Sequence, residues 1–420
     1  MSVGVLDRTA FDPALKTKYT PKRQYNVAMK GKPFLSAVNK ATGLGGAGVK
    51  EFIQYGNPQG VSVTFADAQA NASTILTKAW NLTPVKLYGV SIIDGMAIAT
   101  AKSDADAFLR ALTAQIDGTL DSDGQRLAKF LYGNGSGSLG RIASGQTTAT
   151  ITLTDKYDIV NFQADMKLEV SSTDTATSTA RTGEVTVKSV DRSAGTITCI
   201  DSETAWSTQI AAIAANDYLF ADGDVGHGGF GLKSWLLDAA ASATTHAGVD
   251  RSSDNRLYGQ YYDGSGENVA DALVNGLFYS MLENDSQDLK IFTHPAQVRD
   301  LVNLLSSKVQ YVQYPSQTPS GPDAAVGFKA IKIVTPMGEV EVIPDRYCDS
   351  NVAFALAMDT FTLWSAGAFP RILGEGKDED GLYIQRRSAT DDYEVRTGGY
   401  WQLGCQTPGR SVRIKLPTPA

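Results

Sequence analysis

Three stretches carry the spacing Gly-x-Gly-x-x-Gly, which lets backbone amides approach a pyrophosphate: Gly43 to Gly48, Gly135 to Gly140 and Gly226 to Gly231. Dinucleotide binding needs a strand before the first glycine and a helix opening at the last. The first stretch leads into a strand pattern, and the second follows a helical one. Only Gly226-His227-Gly228-Gly229-Phe230-Gly231 has strand texture before it and a short helix after it. Linker glycines explain that stretch equally well, because a chain with 40 glycines meets so loose a pattern by chance.

Other chemistry is sparse. The three histidines, His227, His246 and His294, stand at no metal-ligand spacing from one another or from a cysteine. His294 precedes Pro295 at a predicted helix start, where a cap is the simplest role for it. No Gly-x-Ser-x-Gly elbow, P-loop or His-Glu-x-x-His occurs. Asp121-Ser122-Asp123 and Lys377-Asp378-Glu379-Asp380 lack the later ligands of a calcium loop and read as solvated loops. Tyr311, Tyr314, Trp364, Tyr400 and Trp401 lack the interleaved Lys and Arg of a base-stacking surface, so packing is expected of them. No catalytic, cofactor-binding or metal-binding residue is assigned, and no cofactor is expected. The expectation is a protein that is not an enzyme.

What must then be explained is architecture. The 420 residues exceed the usual size of one core, so two or more domains are expected. With 42% hydrophobic and 20% charged residues, the composition is globular. No signal peptide and no membrane-length apolar run is found. Cys199, Cys348 and Cys405 are far apart and odd in number, which fits reduced thiols. The net charge of −7 is unevenly spread: residues 1–50 hold nine Lys or Arg against Asp7 and Asp12, a net of +7, which leaves −14 for the rest. A basic arm thus precedes an acidic body. It reads either as a solvated tail or as a segment lying on an acidic surface or near nucleic acid.

Met1 to Gly48 lacks sustained periodicity and mixes prolines with a glycine cluster, so it reads as an extended arm. Strand patterns follow at Glu51–Tyr55, Val61–Phe65 and Val85–Ile92, read together as a long two-stranded excursion. An isolated hairpin is marginal in water, which suggests that this one packs on a neighbouring chain. Ser103-Asp104-Ala105-Asp106 has the form of a capping box, and Phe108, Leu109, Leu112, Ile116, Leu120, Leu127 and Leu131 behind it mark one long amphipathic helix. Gly118 and Gly124 are places where that helix could loosen. From Arg141 to Asp224 the texture changes to Thr, Ser and short alternating runs. Strands are expected at Ala149–Leu153, Lys167–Ser171, Gly183–Val190 and Thr196–Ile200, with a turn at Asp191–Gly195. The reading is a small inserted β domain, a barrel without free edges. Beyond it come a short helix at Leu232–Ala240, a long one through Val269–Leu282, a strand at Leu289–Thr293 and a Pro295-started helix. Strands at Ile331–Val334, Glu339–Ile343, Val352–Met358, Phe361–Trp364 and near Leu382–Gln385 complete an α+β order.

This order resembles the major capsid proteins of the Hong Kong 97 type, shared by tailed bacteriophages. Ile291-Phe292-Thr293-His294-Pro295-Ala296-Gln297-Val298 is similar to the family's strand followed by a Pro-started helix. Gly338 to Arg346, with its Pro344-Asp345, resembles the strand ending in Pro-Asp, and Ala389 to Gly404 resembles the closing strands. The resemblance covers nearly the whole chain apart from Arg141 to Asp224. It implies an α+β fold of the Hong Kong 97 kind: arm 1–48, extended loop 49–100, spine helix of the peripheral domain 101–140, inserted β domain 141–224, and the remaining peripheral and axial domains 225–420. It also implies a homo-oligomer of hexamers and pentamers forming an icosahedral shell around double-stranded DNA. A separate scaffolding protein and a portal are its expected partners, a decoration protein is left open, and no membrane is expected. The place would be the virion, assembled in the host cytoplasm.

In the family's founding member an extended-loop lysine bonds to a neighbour's asparagine, helped by a glutamate. Lys78 is the only lysine between Ala66 and Thr83 here, but nothing in the sequence places those partners beside it, so a noncovalent shell is expected. The arm lacks a long charged helix, so no fused, cleaved scaffold is expected. Two other readings stand beside this one: a tube or sheath subunit, and a nucleotide-dependent enzyme using Gly226 to Gly231.

Overall fold

A computed structural model describes residues 28–94, 105–200, 204–238, 245–284, 289–306, 331–335, 338–373, 384–387 and 390–419. Outside them lie the first 27 residues of the arm, Ser103 and Asp104 of the expected capping box, Tyr311, Tyr314 and the acidic run at 377–380.

The chain opens with helix α1 (Pro33–Ala37) and strand β1 (Asn39–Thr42), followed by β2 (Val49–Gly56), helix α2 (Phe65–Ala70), β3 (Leu76–Leu82) and β4 (Val85–Ile93). The long helix α3 (Ala105–Tyr132) leads to β5 (Gly140–Ser144), β6 (Thr150–Leu153), β7 (Lys167–Ser171), β8 (Val185–Asp191), β9 (Thr196–Cys199), α4 (Trp206–Gln209) and β10 (Tyr218–Ala221). Next come α5 (Leu232–Trp235), β11 (Thr245–His246), β12 (Val249–Asp250), β13 (Gln260–Asp263), α6 (Val269–Asn284), β14 (Leu289–Thr293) and α7 (Pro295–Ser306). The last strands are β15 (Ile331–Thr335), β16 (Gly338–Pro344), β17 (Val352–Ala357), β18 (Phe361–Ser365), β19 (Arg371–Leu373), β20 (Ile384–Arg386), β21 (Tyr393–Cys405) and β22 (Val412–Lys415).

Two compact units result, each assembled from several stretches of chain. The first holds residues 1–234, 246–249 and 361–406. Its main sheet is organised on the 13-residue β21, which pairs with β4, β18, β19 and β20, while β1 adds in parallel to β18. Alternation along β21 turns Val395, Thr397 and Trp401 inward. Helix α3 lies on this sheet, and Ile116, Leu120, Leu127 and Leu131 keep their helical spacing in its buried stripe. The helix runs unbroken through Gly118 and Gly124. Gly124 is there for space: a Cβ would collide with the Ala28 carbonyl.

Six strands of the same unit close a barrel in the order β10-β5-β6-β9-β8-β7. The strands are short, and alternation in β6 and β9 points every second residue into one core that includes Ile142, Val170, Ile197 and Leu219, closed by Phe162 and Trp206 from the connections. Trp206 Nε1 donates to the Ala149 carbonyl at 3.0 Å, which satisfies its polar end inside that core. β5 was not foreseen in the sequence, and β10 only as the strand texture before Gly226. They carry the Gly140 and Ala221 ends of the barrel and join it to the unit.

The second unit comprises residues 235–245, 250–360 and 407–420. Its sheet runs β13-β22-β17-β14-β16-β15, with β14 parallel to β16 and antiparallel to β17. β17, Val-Ala-Phe-Ala-Leu-Ala, is buried on both faces, as a central strand without alternation should be. Leu273 and Leu277 of α6 pack in a core with Ile291, Val342, Ala355 and Ile414. His294 Nδ1 accepts from the Ala296 amide at 3.1 Å, a local cap at the start of α7. Asp345 is buried and its carboxylate accepts from the Tyr347 amide at 3.1 Å, so the Pro344-Asp345 pair forms a tight turn at the strand's end.

Four expectations are corrected. Asp121-Ser122-Asp123 is not a solvated loop but part of α3, where Asp123 is buried. Val61–Phe65 is not a strand; Thr64 caps α2 instead, donating to Asp67 Oδ2 at 2.5 Å while accepting from the Asp67 amide at 3.3 Å. Local hydrogen bonding by Thr and Asp outcompetes the alternation there. The second strand of the excursion is Leu76–Leu82, paired from Val49↔Leu82 to Gly56↔Leu76, and Val85–Ile93 joins the main sheet instead. Finally, the segment before Gly48 is not extended throughout. α1 buries Phe34 and Leu35, and β1 pairs from Asn39↔Thr362 to Thr42↔Ser365.

Candidate assembly surface

Strand β2 breaks the usual polarity at two adjacent positions. Its alternation turns Glu51 and Ile53 inward and Phe52 outward, where Phe52 is 73% exposed. At the root of the β2–β3 hairpin, Glu51 accepts a hydrogen bond from Trp364 Nε1 of β18. Its other carboxylate oxygen is buried without a hydrogen-bond partner. Burial pushes the Glu51 carboxyl above its ordinary range, and the Trp364 hydrogen bond opposes that. Trp80, opposite Glu51, is fully buried and donates to the Gln406 carbonyl at 3.3 Å. The Asn81 amide donates to the Ala247 carbonyl at 2.8 Å.

Past this root the support ends. Residues 57–77 include no buried side chain, yet they carry Val61, Val63, Phe65, Ile75 and Leu76, all half or more exposed. The tip has local order of its own, through α2 and the Gln59 amide donating to Ser73 Oγ at 2.8 Å. It has no core. Burying each such side chain contributes about 1.5–3 kcal/mol, and a lone hairpin offers nowhere to bury them. Contiguous apolar groups left in water mark a surface that another chain covers.

A second apolar strip lies on the same unit. Tyr88, Val90 and Ile92 of β4 point outward beside Tyr400 of β21, and all four are exposed. Tyr88 and Tyr400 meet edge to face with ring centroids 6.4 Å apart. On the second unit, Val274 and Phe278 form an exposed pair at i and i+4 on α6, along the margin of the stripe that buries Leu273 and Leu277.

The residues singled out for chemistry are not brought together. Gly226 to Gly231 packs against the loop after α3, with the Gly228 amide donating to the Gly135 carbonyl at 3.1 Å. The helix it opens has four residues, too short to present a phosphate-binding end. His246 packs in a tilted arrangement 4.4 Å from Phe230 and lies 6.4 Å from Trp80, while His294 caps α7. Lys78 Nζ sits 5.4 Å from the Tyr55 ring centroid on the hairpin. Cys199, Cys348 and Cys405 are buried and form no disulfide. Among the described residues no group of His, Cys, Asp and Glu could hold a metal ion, and no helix is long and apolar enough to cross a membrane. Of the root residues, Trp364 was expected only to pack, while Glu51 and Trp80 escaped the sequence reading. The only available signal was an acid at an inward position of β2.

The family described as SU10 major capsid protein matches residues 230–370. No curated protein matches the sequence. Among solved structures, the chain is similar to one from the cyanophage A-1(L) capsid asymmetric unit, at 13% identity over 92% of this chain and 93% of that one, with a TM-score of 0.51. It also resembles a chain of the empty GTA particle capsid, at 8% identity over 93% and 97% of the two chains, TM-score 0.44. A chain from Gordonia phage Cozz aligns at 9% identity over 92% and 87%, TM-score 0.43. The cyanophage likeness is one of fold: mixed helix and strand arranged as in a phage capsid subunit.

Proposed function

We infer that this chain, a major capsid protein of a tailed bacteriophage, is the subunit that self-assembles into the icosahedral head around double-stranded DNA. Its role is structural and its place is the virion. The observation that carries this reading is the hairpin tip, residues 57–77: ordered locally, apolar outward and without a core of its own. A monomeric protein gains nothing from such a segment. A shell subunit does, because obligate interfaces bury roughly 2,000 Å² or more and draw their stability from segments that cannot satisfy themselves.

The finer architecture follows the Hong Kong 97 type. The β2–β3 hairpin is the extended loop, α3 the spine helix, the first unit the peripheral domain and the second the axial domain. The closed barrel between α3 and α5 is an addition to that plan, placed on the shell's outer side. Subunits gather into hexamers and pentamers. Assembly uses a separate scaffolding protein and a portal, DNA lies on the inner face, and a decoration protein can sit outside. Electron microscopy of the purified protein, alone and with its scaffold, tests the reading. Closed shells of uniform diameter are expected, and open tubes would replace it with the tube or sheath alternative.

A further inference from the structure

Helix α3 meets the main sheet through a polar contact where an apolar one is usual. Asp123 is buried there and accepts a hydrogen bond from Thr397 Oγ1 of β21 at 2.6 Å. Gly89 of β4 lies directly over the pair: a Cβ would stand 2.5 Å from both Asp123 Oδ1 and Thr397 Oγ1. One helical turn before Asp123, Thr119 shares a hydrogen bond with Ser91 of β4. Both contacts join the helix to the sheet through side-chain oxygens, at the only spacing Gly89 permits. The adjoining cavity, about 650 Å³, is lined by Gly89, Asp121, Asp123, Arg126, Asp222 and Asp224 among others.

Charged groups face Asp123 from each side of this junction. On its own helix Arg126 is one turn away but donates to Asp224, just past β10. Asp121 is taken by Lys32 at 2.6 Å. Beyond β10 stand Asp222, Asp224 and His227, and the barrel contributes only the neutral Gln163. From the sheet come Gly89 and Thr397, while Lys86 and Arg396 lie on its exposed outer face. Asp123 therefore shares its nearby guanidinium with a second, half-buried carboxylate.

We propose that the buried junction of the long helix and the main sheet at Asp123, under Gly89, is a proton-operated clamp, closed when Asp123 is neutral and loosened when it ionises, with the Thr397 hydroxyl favouring the ionised form. The ionised form places a charge under Gly89 with one hydroxyl donor and a shared guanidinium to compensate it. Burial is the largest cause raising Asp123 to about 6, opposed by the Thr397 hydrogen bond and by Arg126. Asp224 is shifted in the same direction, again first by burial. A raised carboxyl stabilises the fold fully below the ordinary carboxylate value, about 4, and loses that contribution as pH rises through about 6.

Hydrogen exchange on the purified full-length protein tests this. After correction for intrinsic rates, amides of Tyr88–Ser91 and Gln115–Arg126 should lose about tenfold or more in protection between about pH 5 and about pH 8, since one unit of pKa displacement is a factor of ten in the opening equilibrium. Asp123→Asn should hold its protection across that range. Thr397→Val keeps the volume and removes the hydroxyl that favours the carboxylate, so its midpoint should move to higher pH even if the asparagine variant folds poorly. Protection in the wild type that is flat or rises with pH would overturn the proposal, as would a Thr397→Val midpoint equal to that of the wild type.

Discussion

Trp364 and Glu51 are separated by 313 positions in sequence and joined by a hydrogen bond from indole to carboxylate at the root of the exposed hairpin. That bond fastens β2 to β18, so the direction in which the apolar tip projects depends on a buried acid. Packing enforces the same arrangement, for a Cβ on Gly404 would stand 2.7 Å from either carboxylate oxygen of Glu51.

Glu51 should make the hairpin root sensitive to pH. Its carboxyl is raised by burial, with the Trp364 hydrogen bond opposing, so its contribution is present in acid and is lost as pH rises through the raised value. Glu51→Gln keeps an acceptor for the indole and cannot ionise. It should melt higher than the wild type at about pH 8 and level with it at about pH 4. Glu51→Ala strands the Trp364 N–H and should cost about 1–3 kcal/mol. Thermal melts at both pH values decide this, and a glutamine variant less stable than the wild type at the higher pH would refute it.

The tip should matter to assembly and hardly at all to folding. Val61, Val63 and Phe65 are 85%, 103% and 83% exposed. Replacing all three by serine should change subunit stability by no more than about 0.5 kcal/mol per site, because nothing in the subunit packs on them. Sedimentation and electron microscopy should nevertheless show shells lost. Normal shells from the triple variant would remove the tip from the assembly surface.

The first residues and those after Ala28 should behave differently on deletion. Removing residues 1–27 leaves Phe34, Leu35 and the Lys32–Asp121 ion pair in place, so a folded subunit that fails to form shells is expected. Removing residues through Lys40 also takes Phe34 and Leu35 from the core, losses of about 2–5 kcal/mol apiece, and should unfold the first unit. Circular dichroism melts of the two deletions distinguish them. Equal melting temperatures would contradict the burial seen for α1.

Particles should come apart without breaking covalent bonds. Lys78 lies against the Tyr55 ring on the hairpin. Boiling particles in SDS should release monomer near the 44.8 kDa of the chain, and Lys78→Ala should give the same gel. A ladder in the wild type that collapses to monomer in the variant would show a lysine crosslink.

Much of the plan was legible in the sequence because it is local. Helix α3 shows in the spacing of Ile116, Leu120, Leu127 and Leu131, and α7 in Pro295 with its apolar face. β7 and β14 were bounded to the residue, since alternation or a short apolar run with flanking turn residues is enough to define a strand. Barrel texture between Arg141 and Asp224 was visible for the same reason. Periodicity depends on the 3.6 and 2.0 residue repeats of the backbone, which any stretch of chain carries within itself.

Pairing was not legible, because it is settled by competition among strands of similar texture. Val85–Ile93 reads like a hairpin strand, yet it bonds to β21 some 300 residues later, while the hairpin takes the weaker pattern Leu76–Leu82. Val61–Phe65 alternates cleanly and still yields to the Thr64 cap. The two exceptions to the polarity of β2 could not be explained from the sequence: only once Trp364 and Gly404 stand opposite does Glu51 belong inside and Phe52 outside. Local propensity thus determined which elements exist. The tertiary structure alone decided their partners and which apolar groups stay in water for another chain to cover, because a buried hydrogen bond or a shared core is realised only after distant segments meet.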